Sequence, residues 1–411
     1  MLPDQAAIWQ HVEKTARHIL SAHGYNEIRT PILENTEVFT RSIGESSDIV
    51  KKEMYTFKDK KGRSLTLRPE GTAPIVRAYI EHSLHTTSHG SRLYYTGPMF
   101  RSERPQKGRT RQFYQIGAEF FGSKSFAADI EIVTLLHKLL ESFKLKGFVI
   151  KLNSLGCKND KDDFSVKLRG YLESKKNNLC EDCKARIKTN VLRVLDCKKD
   201  SCLKVVQDAP SLTDSLCPEC GGDFDNVKKG LKKMAINFIE SRNIVRGLDY
   251  YTGVVFEVTH PALGAQDAIA AGGRYDNLVK EMGGVDTPAV GFALGLERVI
   301  LALGEKAKWS KKNIYVATLG ETARMEGLII AHELRNSLGT DAVVITQQKD
   351  SSLKSQLREA NKLDASVVIM IGEDELSNDE VTFKYMKEKI EDKRVKRSSV
   401  FSEVTQFLGK A

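Results

Sequence analysis

A guanidinium, a carboxylate and two phenols stand together in Arg246-Gly247-Leu248-Asp249-Tyr250-Tyr251, just ahead of the apolar run Val254-Val255-Phe256. A second segment, Ala270-Ala271-Gly272-Gly273-Arg274-Tyr275-Asp276, follows closely. Its double glycine lets a neighbouring strand approach, and polar side chains flanking such an approach suit a pocket for a small polar ligand. Taken alone, Tyr-Tyr before Val-Val-Phe also fits an ordinary half-buried strand. The partners elsewhere in the chain decide between the two.

Three further constellations carry chemistry. The first runs from Thr96 to Gly122 and reads as two strands joined by a basic loop with arginines at 101, 104, 109 and 111. Guanidinium forks match phosphate oxygens in pairs, so this loop suits a polyphosphate. On its second strand Phe113, Gln115 and Glu119 fall on one face by the period of two. An aromatic, an amide and a carboxylate on one face are not the composition of a core strand. The second, Leu65-Thr66-Leu67-Arg68-Pro69-Glu70-Gly71-Thr72, places Glu70 and Thr72 at a turn where a carboxylate can receive an ammonium group. The same turn also reads as a plain helix start. The third, Ala289 to Leu301, is a small-residue strand entering an apolar helix, with Arg298 near the helix start, where it can meet an anion.

The elements that must hold these residues follow from local patterning. Apolar positions at Ile8, Val12, Ile19 and Leu20 predict an amphipathic helix over Pro3 to His23 that stops at Gly24. Strands are predicted over Tyr25 to Leu33, Leu65 to Leu67, Arg92 to Tyr95, Gln112 to Phe121 and Val149 to Asn153. Pro31 removes a ladder donor and belongs at an edge or an interface. This order predicts an α+β domain with a mainly antiparallel sheet flanked by helices. Between Cys157 and Ile244 the texture changes to charged helical segments broken by cysteines, as an inserted domain would. After Gly304-Glu305-Lys306-Ala307-Lys308, strand-like runs at 314–317, 342–345 and 367–371 alternate with helical segments at 325–338 and 353–363. That alternation predicts a small α/β domain with a mostly parallel sheet. The expected division is 1–157 with 244–311, an insertion over 158–243, and 312–411.

At 411 residues the chain exceeds one hydrophobic core. It has no apolar run long enough to cross a bilayer, and Met1-Leu2-Pro3-Asp4-Gln5 lacks the basic start and apolar core of a signal segment, so a cytoplasmic location without a membrane partner is expected. Lys plus Arg number 63 against 54 Asp plus Glu, a net +9, compatible with a polyanionic partner. From Lys158 to Arg242 there are 18 basic and 14 acidic residues, whereas beyond Ile314 the charges roughly balance. An electrostatic nucleic-acid surface is therefore expected mainly outside the C-terminal domain.

Together these segments resemble the signature motifs of class II aminoacyl-tRNA synthetases: Pro31 in the first, Phe100-Arg101-Ser102-Glu103 through Glu119 in the second, Gly291 to Arg298 in the third. The 246–251 and 272–276 stretches resemble the two motifs of the histidyl-tRNA synthetase family, and the likeness spans essentially the whole chain in order. The resemblance implies activation of L-histidine by ATP to histidyl-adenylate and pyrophosphate, then transfer to the 3′ end of tRNA(His). It implies Glu70, Gly71, Thr72 and Gln115 at the amino-acid end, with Glu119, Tyr250 and Tyr251 toward the imidazole, whose two nitrogens need polar partners. It further implies Arg101 on the α-phosphate, Arg109 and Arg298 on the β- and γ-phosphates, Glu103 on the adenine and Phe113 stacked on it. Arg246 would sit between the histidine carboxylate and the α-phosphate, so that Arg246 and Arg101 act in catalysis. Mg²⁺ on the phosphates, a homodimer with Pro31 at its interface, and a C-terminal anticodon-binding-type domain complete the expectation.

Two features depart from that pattern. The chain begins where related chains carry a further upstream strand, and the stretch from Glu373 to Arg397 is unusually charged. Seven cysteines are an odd number for a disulfide framework. Cys180-Glu181-Asp182-Cys183 and Cys217-Pro218-Glu219-Cys220 have the paired spacing of a tetrahedral site, with Cys197 and Cys202 between, which suits structural Zn²⁺ on Cys180, Cys183, Cys217 and Cys220; the alternative is an insertion that folds without metal, since six thiols exceed one site. Two non-ligase readings compete: a regulatory subunit of ATP phosphoribosyltransferase and a tRNA-sensing module. The first lacks an anticodon-binding domain, and the second needs no ATP clamp such as Arg101, Glu103, Arg246 and Arg298.

Overall fold

The structure, a computed structural model, describes residues 1–44, 47, 49–87, 91–106, 108–197, 199–242, 244, 248–264, 267–304, 312–339, 342–388 and 390–409. Arg246 and Gly247 lie outside the described residues, as does the expected linker beyond Gly304. The chain divides into two compact units, Met1–Lys308 and Trp309–Ala411.

The first unit is built on an eight-stranded sheet in the order Asn26–Glu27, Arg92–Phe100, Gln112–Phe121, Ala289–Gly295, Ala268–Arg274, Thr252–Thr259, Val149–Ser154 and Phe238–Glu240. All pairings are antiparallel except the outermost two, which are parallel. One face is closed by the helices Pro3–Ala22 and Phe126–Ser142, whose Val12, Ala16, Leu20, Ile132, Leu136 and Leu139 are fully buried against Phe256, Val258 and Leu294. The opposite face carries the constellations singled out in the sequence. Gly272 is required where the central strands meet: a Cβ there would lie 2.3 Å from the Gly291 carbonyl and 2.5 Å from the Phe256 ring.

The strand expected over Tyr25 to Leu33 is broken into Asn26–Glu27 and Leu33–Asn35, the latter part of a separate three-stranded sheet with Ser64–Leu67 and Tyr55–Lys58. Pro31 lies between the pieces, since it has no N–H to continue a ladder. The strand begun at Arg92 runs to Phe100, past Gly97 and Pro98, because Gln112–Phe121 pairs along its whole length.

The helix Lys158–Ser174 leaves the main sheet just after Ser154 and leads to a region with its own core, including Phe164, Leu168, Ile187, Val194 and Leu212. The last helix of that stretch, Pro218–Lys233, instead buries Phe224, Val227 and Leu231 in the main core. In the second unit the sheet order is Ala342–Thr346, Lys312–Thr318, Ala365–Ile371, Glu380–Tyr385, Lys393–Lys396. Its first three strands are parallel, as strand and helix alternation predicts. The last two are antiparallel and come from the charged 373–397 stretch, whose lysines and arginines mask the pattern of an edge hairpin.

Arg274, from the second motif, is structural. Its guanidinium is buried and ion-paired with Asp129, donates to the Ser123 and Ser125 carbonyls, and reaches Asp276 at 3.1 Å. Removing one partner of a buried pair strands the other charge. Asp129→Ala is therefore expected to destabilise the first unit by about 3–5 kcal/mol; a urea melt with an unchanged midpoint would contradict this.

Candidate active site

The strand Ser64–Leu67 ends in Arg68-Pro69-Glu70-Gly71, and the helix Thr72–Glu81 begins at once. Glu70 is buried, and its carboxylate accepts the backbone N–H of Thr72 and of Ala73, both at 2.8 Å. These helix-terminal amides favour the anion, while burial drives its pKa up. Gly71 does not line the pocket. A Cβ there would lie 2.3 Å from the Tyr95 ring, so the glycine serves packing.

A cavity of about 250 Å³ lies over the central strands. It brings together Glu70, Thr72, Arg101, Glu103, Arg109, Phe113, Gln115, Glu119, Tyr250, Tyr251 and Arg298, residues scattered over more than half the chain. Of the histidine- and ATP-site residues expected from sequence, Gly71 is missing from this lining, and Arg246 lies outside the described residues. Phe113 and Glu119 are six positions apart on one strand, a separation of about 20 Å at roughly 3.4 Å per residue. The cavity is thus long enough to present two different chemistries.

At one end sits Glu119, almost completely buried. Its carboxyl accepts hydrogen bonds from Thr72 Oγ1 at 2.7 Å and from the Tyr275 hydroxyl at 2.5 Å. Burial pushes its pKa up to about 8; the Glu70 charge adds to this and the two hydroxyls oppose it. The buried phenols of Tyr250 and Tyr275 are pushed well above their ordinary value by the same desolvation, so both remain protonated donors. Gly291 passes directly beneath, and a Cβ there would stand 1.7 Å from Glu119 Oε2. Further along the strand, the Gln115 side-chain oxygen is buried and has no hydrogen-bond partner among the described residues. An orphaned acceptor in a cavity is a place for a ligand donor.

The other end is cationic. Arg101 donates to the Pro69 carbonyl at 2.8 Å and lies 5.3 Å from the centre of the Phe113 ring. Arg109 is paired with Glu103 at 2.8 Å. Arg298, in the first turn of the helix Leu296–Leu303, donates to the carbonyls of Gly108 and Ala268. Burial and the neighbouring Arg109 lower its pKa, as expected where guanidinium groups gather at one end of a cavity. Sequence reasoning assigned no role to Tyr275, to Glu297 or to the small residues Ala268 to Ala271, which also line the cavity. Tyr275 carries a recognisable signal, a phenol directly after a glycine-rich strand segment.

A family model described as histidyl-tRNA synthetase matches residues 1–159 and 223–299. A histidine--tRNA ligase of Thermosipho melanesiensis is 49% identical over 383 residues, 92% of this chain and 90% of that protein. The chain belongs to the histidyl-tRNA synthetase family. A second member, the histidine--tRNA ligase of Thermodesulfovibrio yellowstonii, is 48% identical over 94% of this chain and 91% of its own length. Among solved structures, apo histidyl-tRNA synthetase of S. aureus superposes with a TM-score of 0.78 at 32% identity, covering 98% of this chain and 96% of that one. Residues 313–407 match a model described as an anticodon binding domain. The fold is of the class II type: a sheet with flanking helices carries the cavity, and a separate unit carries the anticodon-type domain. Among the described residues no helix is long and apolar enough to cross a membrane.

Glu119 gives this cavity a measurable signature. A carboxyl whose folded pKa lies above its ordinary 4.5 contributes stability that is full below about 4.5 and is lost as pH rises through about 8. The difference amounts to about 5 kcal/mol at most. Glu119→Gln is expected to flatten the stability of the first unit between these pH values; a wild-type slope in the variant would show that another group titrates.

Proposed function

We propose that the chain ligates L-histidine to tRNA(His) in the cytoplasm, forming histidyl-adenylate and pyrophosphate from ATP before transferring histidine to the tRNA 3′ end. The observation that carries this reading is one cavity with two opposed ends, a buried carboxyl and phenols at Glu119, Tyr250, Tyr251 and Tyr275, and guanidinium groups at Arg101, Arg109 and Arg298. Imidazole needs a donor and an acceptor at its two nitrogens, which a carboxyl beside phenols supplies. A site built to hydrogen-bond both nitrogens leaves its own buried groups unpaired against an apolar analogue, a penalty of several kcal/mol. The names of the related proteins support the same substrate.

In this reading Glu70 and the orphaned Gln115 oxygen receive the α-ammonium, with Thr72 alongside and Gly71 shaping the turn. Arg101 holds the α-phosphate, Arg109 and Arg298 hold the outer phosphates, and Phe113 stacks on the adenine beside Glu103. Arg109 leaves its exchangeable, partly exposed ion pair with Glu103 to do so. Arg246 is assigned from the sequence motif alone: its charge stabilises the negative charge that develops between the histidine carboxylate and the α-phosphate. Groups of this kind contribute about 3–4 kcal/mol to the rate. Mg²⁺, when bound, neutralises phosphate charge. Glu297, which lines the same cavity, would supply a hard oxygen donor of the type Mg²⁺ takes alongside phosphate oxygens.

The organisation that goes with this activity is a catalytic domain of 1–157 and 244–311, an insertion over 158–243 whose last helix seals the catalytic core, and an anticodon-binding domain over 312–411. A homodimer is part of the proposal. Ile32 and Leu33, which follow Pro31, are 42% and 44% exposed, an apolar edge suited to a two-fold interface. The cysteine pairs expected to share one zinc ion are regrouped by the fold, and no cysteine is among the described residues lining the cavity, so this catalytic reading gives zinc no part.

Histidine-dependent exchange of pyrophosphate into ATP tests the assignment directly. The wild-type chain is expected to exchange with histidine and with no other amino acid. Arg246→Ala should retain its far-ultraviolet circular dichroism and lose about two to three orders of magnitude in exchange rate. Near-normal exchange in that variant would sink the role given to Arg246, and absence of exchange in the wild type would sink the activity itself.

A further inference from the structure

The cysteines of the insertion do not assemble as their spacing suggests. Cys180 and Cys183 meet Cys197 and Cys202, whereas Cys217 and Cys220 meet Cys157 and Asp160. The expected quartet of Cys180, Cys183, Cys217 and Cys220 is therefore not one site. Sequence spacing pairs neighbours within a turn but does not say which pairs the fold brings together. All seven cysteines are free thiols, and within each group the four ligand atoms lie within 4.8 Å of one another.

We propose that this region holds two structural zinc ions, one on Cys180, Cys183, Cys197 and Cys202, the other on Cys157, Asp160, Cys217 and Cys220. Four sulfurs at about 2.3 Å from a tetrahedral zinc are about 3.8 Å apart, so both groups need only a small contraction to close on an ion. In the first group Cys183, Cys197 and Cys202 are buried in the small core formed by Phe164, Leu168 and Ile187. Its sulfurs already receive backbone support: the Cys180 N–H donates to Cys202 Sγ at 3.2 Å, as amides do toward metal-bound thiolates. In the second group the Cys220 N–H donates to Cys217 Sγ at 3.5 Å. Asp160 accepts the N–H of Cys157 at 3.1 Å and that of Cys217 at 3.0 Å, which fixes its carboxylate between the two cysteine segments. Cys157 and Cys217 each stand at the N-cap of a long helix, Lys158–Ser174 and Pro218–Lys233, so both sulfurs are held at ordered helix starts. Asp160 supplies one hard ligand to three soft ones, a mixture that zinc accepts and an iron–sulfur cluster does not favour.

The position of the sites gives them a purpose. The second joins the place where the chain leaves the main sheet to the helix by which it returns, closing a long loop at its neck. Lys161, adjacent to Asp160, donates to the Tyr251 carbonyl at 2.9 Å. Asn190 caps the helix that Cys180 and Cys183 begin, and its side chain donates to Asp249 at 2.8 Å. Each metal thus fixes an element that braces the segment carrying Tyr250 and Tyr251. A region with so small a core gains most from such a staple.

The test reads metal, so it stands whatever amino acid the cavity takes. The full chain, expressed with added zinc and dialysed against metal-free buffer, is expected to carry two zinc ions by plasma mass spectrometry. An organomercurial should release both into a chromogenic chelator. Cys183→Ser with Cys202→Ser should lose one ion and keep the other, and Cys217→Ser with Cys220→Ser should do the same. Should a variant fail to fold, zinc-edge absorption on the wild type decides: seven sulfur ligands and one oxygen shared by two ions are expected. One ion or none per chain, iron in place of zinc, or thiols recovered as disulfides would each overturn the proposal.

Discussion

The hydrogen-bonded burial of Glu119 is the constraint around which the first unit is arranged. A carboxyl taken fully out of water is costly unless its oxygens are met, and here a threonine hydroxyl and a phenol meet them. Those two donors come from the first turn of the helix Thr72–Glu81 and from the segment just after the strand Ala268–Arg274, while the carboxyl comes from Gln112–Phe121. One interaction therefore registers three separate parts of the chain. It also dictates a neighbour without a side chain, since nothing larger than glycine fits at 291 beneath it. Desolvation holds the group near the proton affinity of a weak base, so its hydrogen-bonding role can change with what enters the cavity.

The cationic end works by the opposite rule. Arg101, Arg109 and Arg298 repel one another; the Pro69, Gly108 and Ala268 carbonyls orient two of them, and the Glu103 carboxylate lies against Arg101 and Arg109. Carbonyl acceptors orient a guanidinium without cancelling its charge. The close ion pair of Arg109 with Glu103, at 2.8 Å, has its arginine side chain 37% exposed, and such pairs contribute at most about 1 kcal/mol. Under the proposed ATP binding, a polyphosphate competes for Arg109 while Arg101 and Arg298 keep their carbonyl contacts, which separates a fixed part of that anion site from a movable one.

Much of this was legible in the sequence because the governing patterns are local. Phe113, Gln115 and Glu119 fall on one face by strand alternation, and the structure places all three on the cavity wall. The antiparallel sheet and the alternating second unit follow from strand length and helix period. What was illegible depends on partners distant in sequence. Arg274 and Tyr275 are adjacent in one motif, yet the first is buried in a structural ion-pair network with Asp129 and the second reaches into the cavity. Their division follows from the end of the strand at Arg274, where alternation stops deciding which face a residue meets. Gly71 is set apart for a related reason: its neighbours Glu70 and Thr72 line the cavity, but the Tyr95 ring occupies the space above it.

The cysteines show the same limit most sharply. A Cys-x-x-Cys spacing reports that two sulfurs lie on one turn, an entirely local statement, and both such turns form as expected at helix starts. Which turns face each other is set by the cores they belong to. Cys183 is buried with Phe164 and Ile187 in the insertion's own cluster, so its partners are the other cysteines of that cluster, Cys197 and Cys202. The helix beginning at Cys217 is drawn instead into the main core through Phe224, Val227 and Leu231. Its sulfurs consequently meet Cys157 and Asp160, where the chain departs from the main sheet. Hydrophobic partition between two cores, rather than the spacing of the thiols, determines the ligand sets.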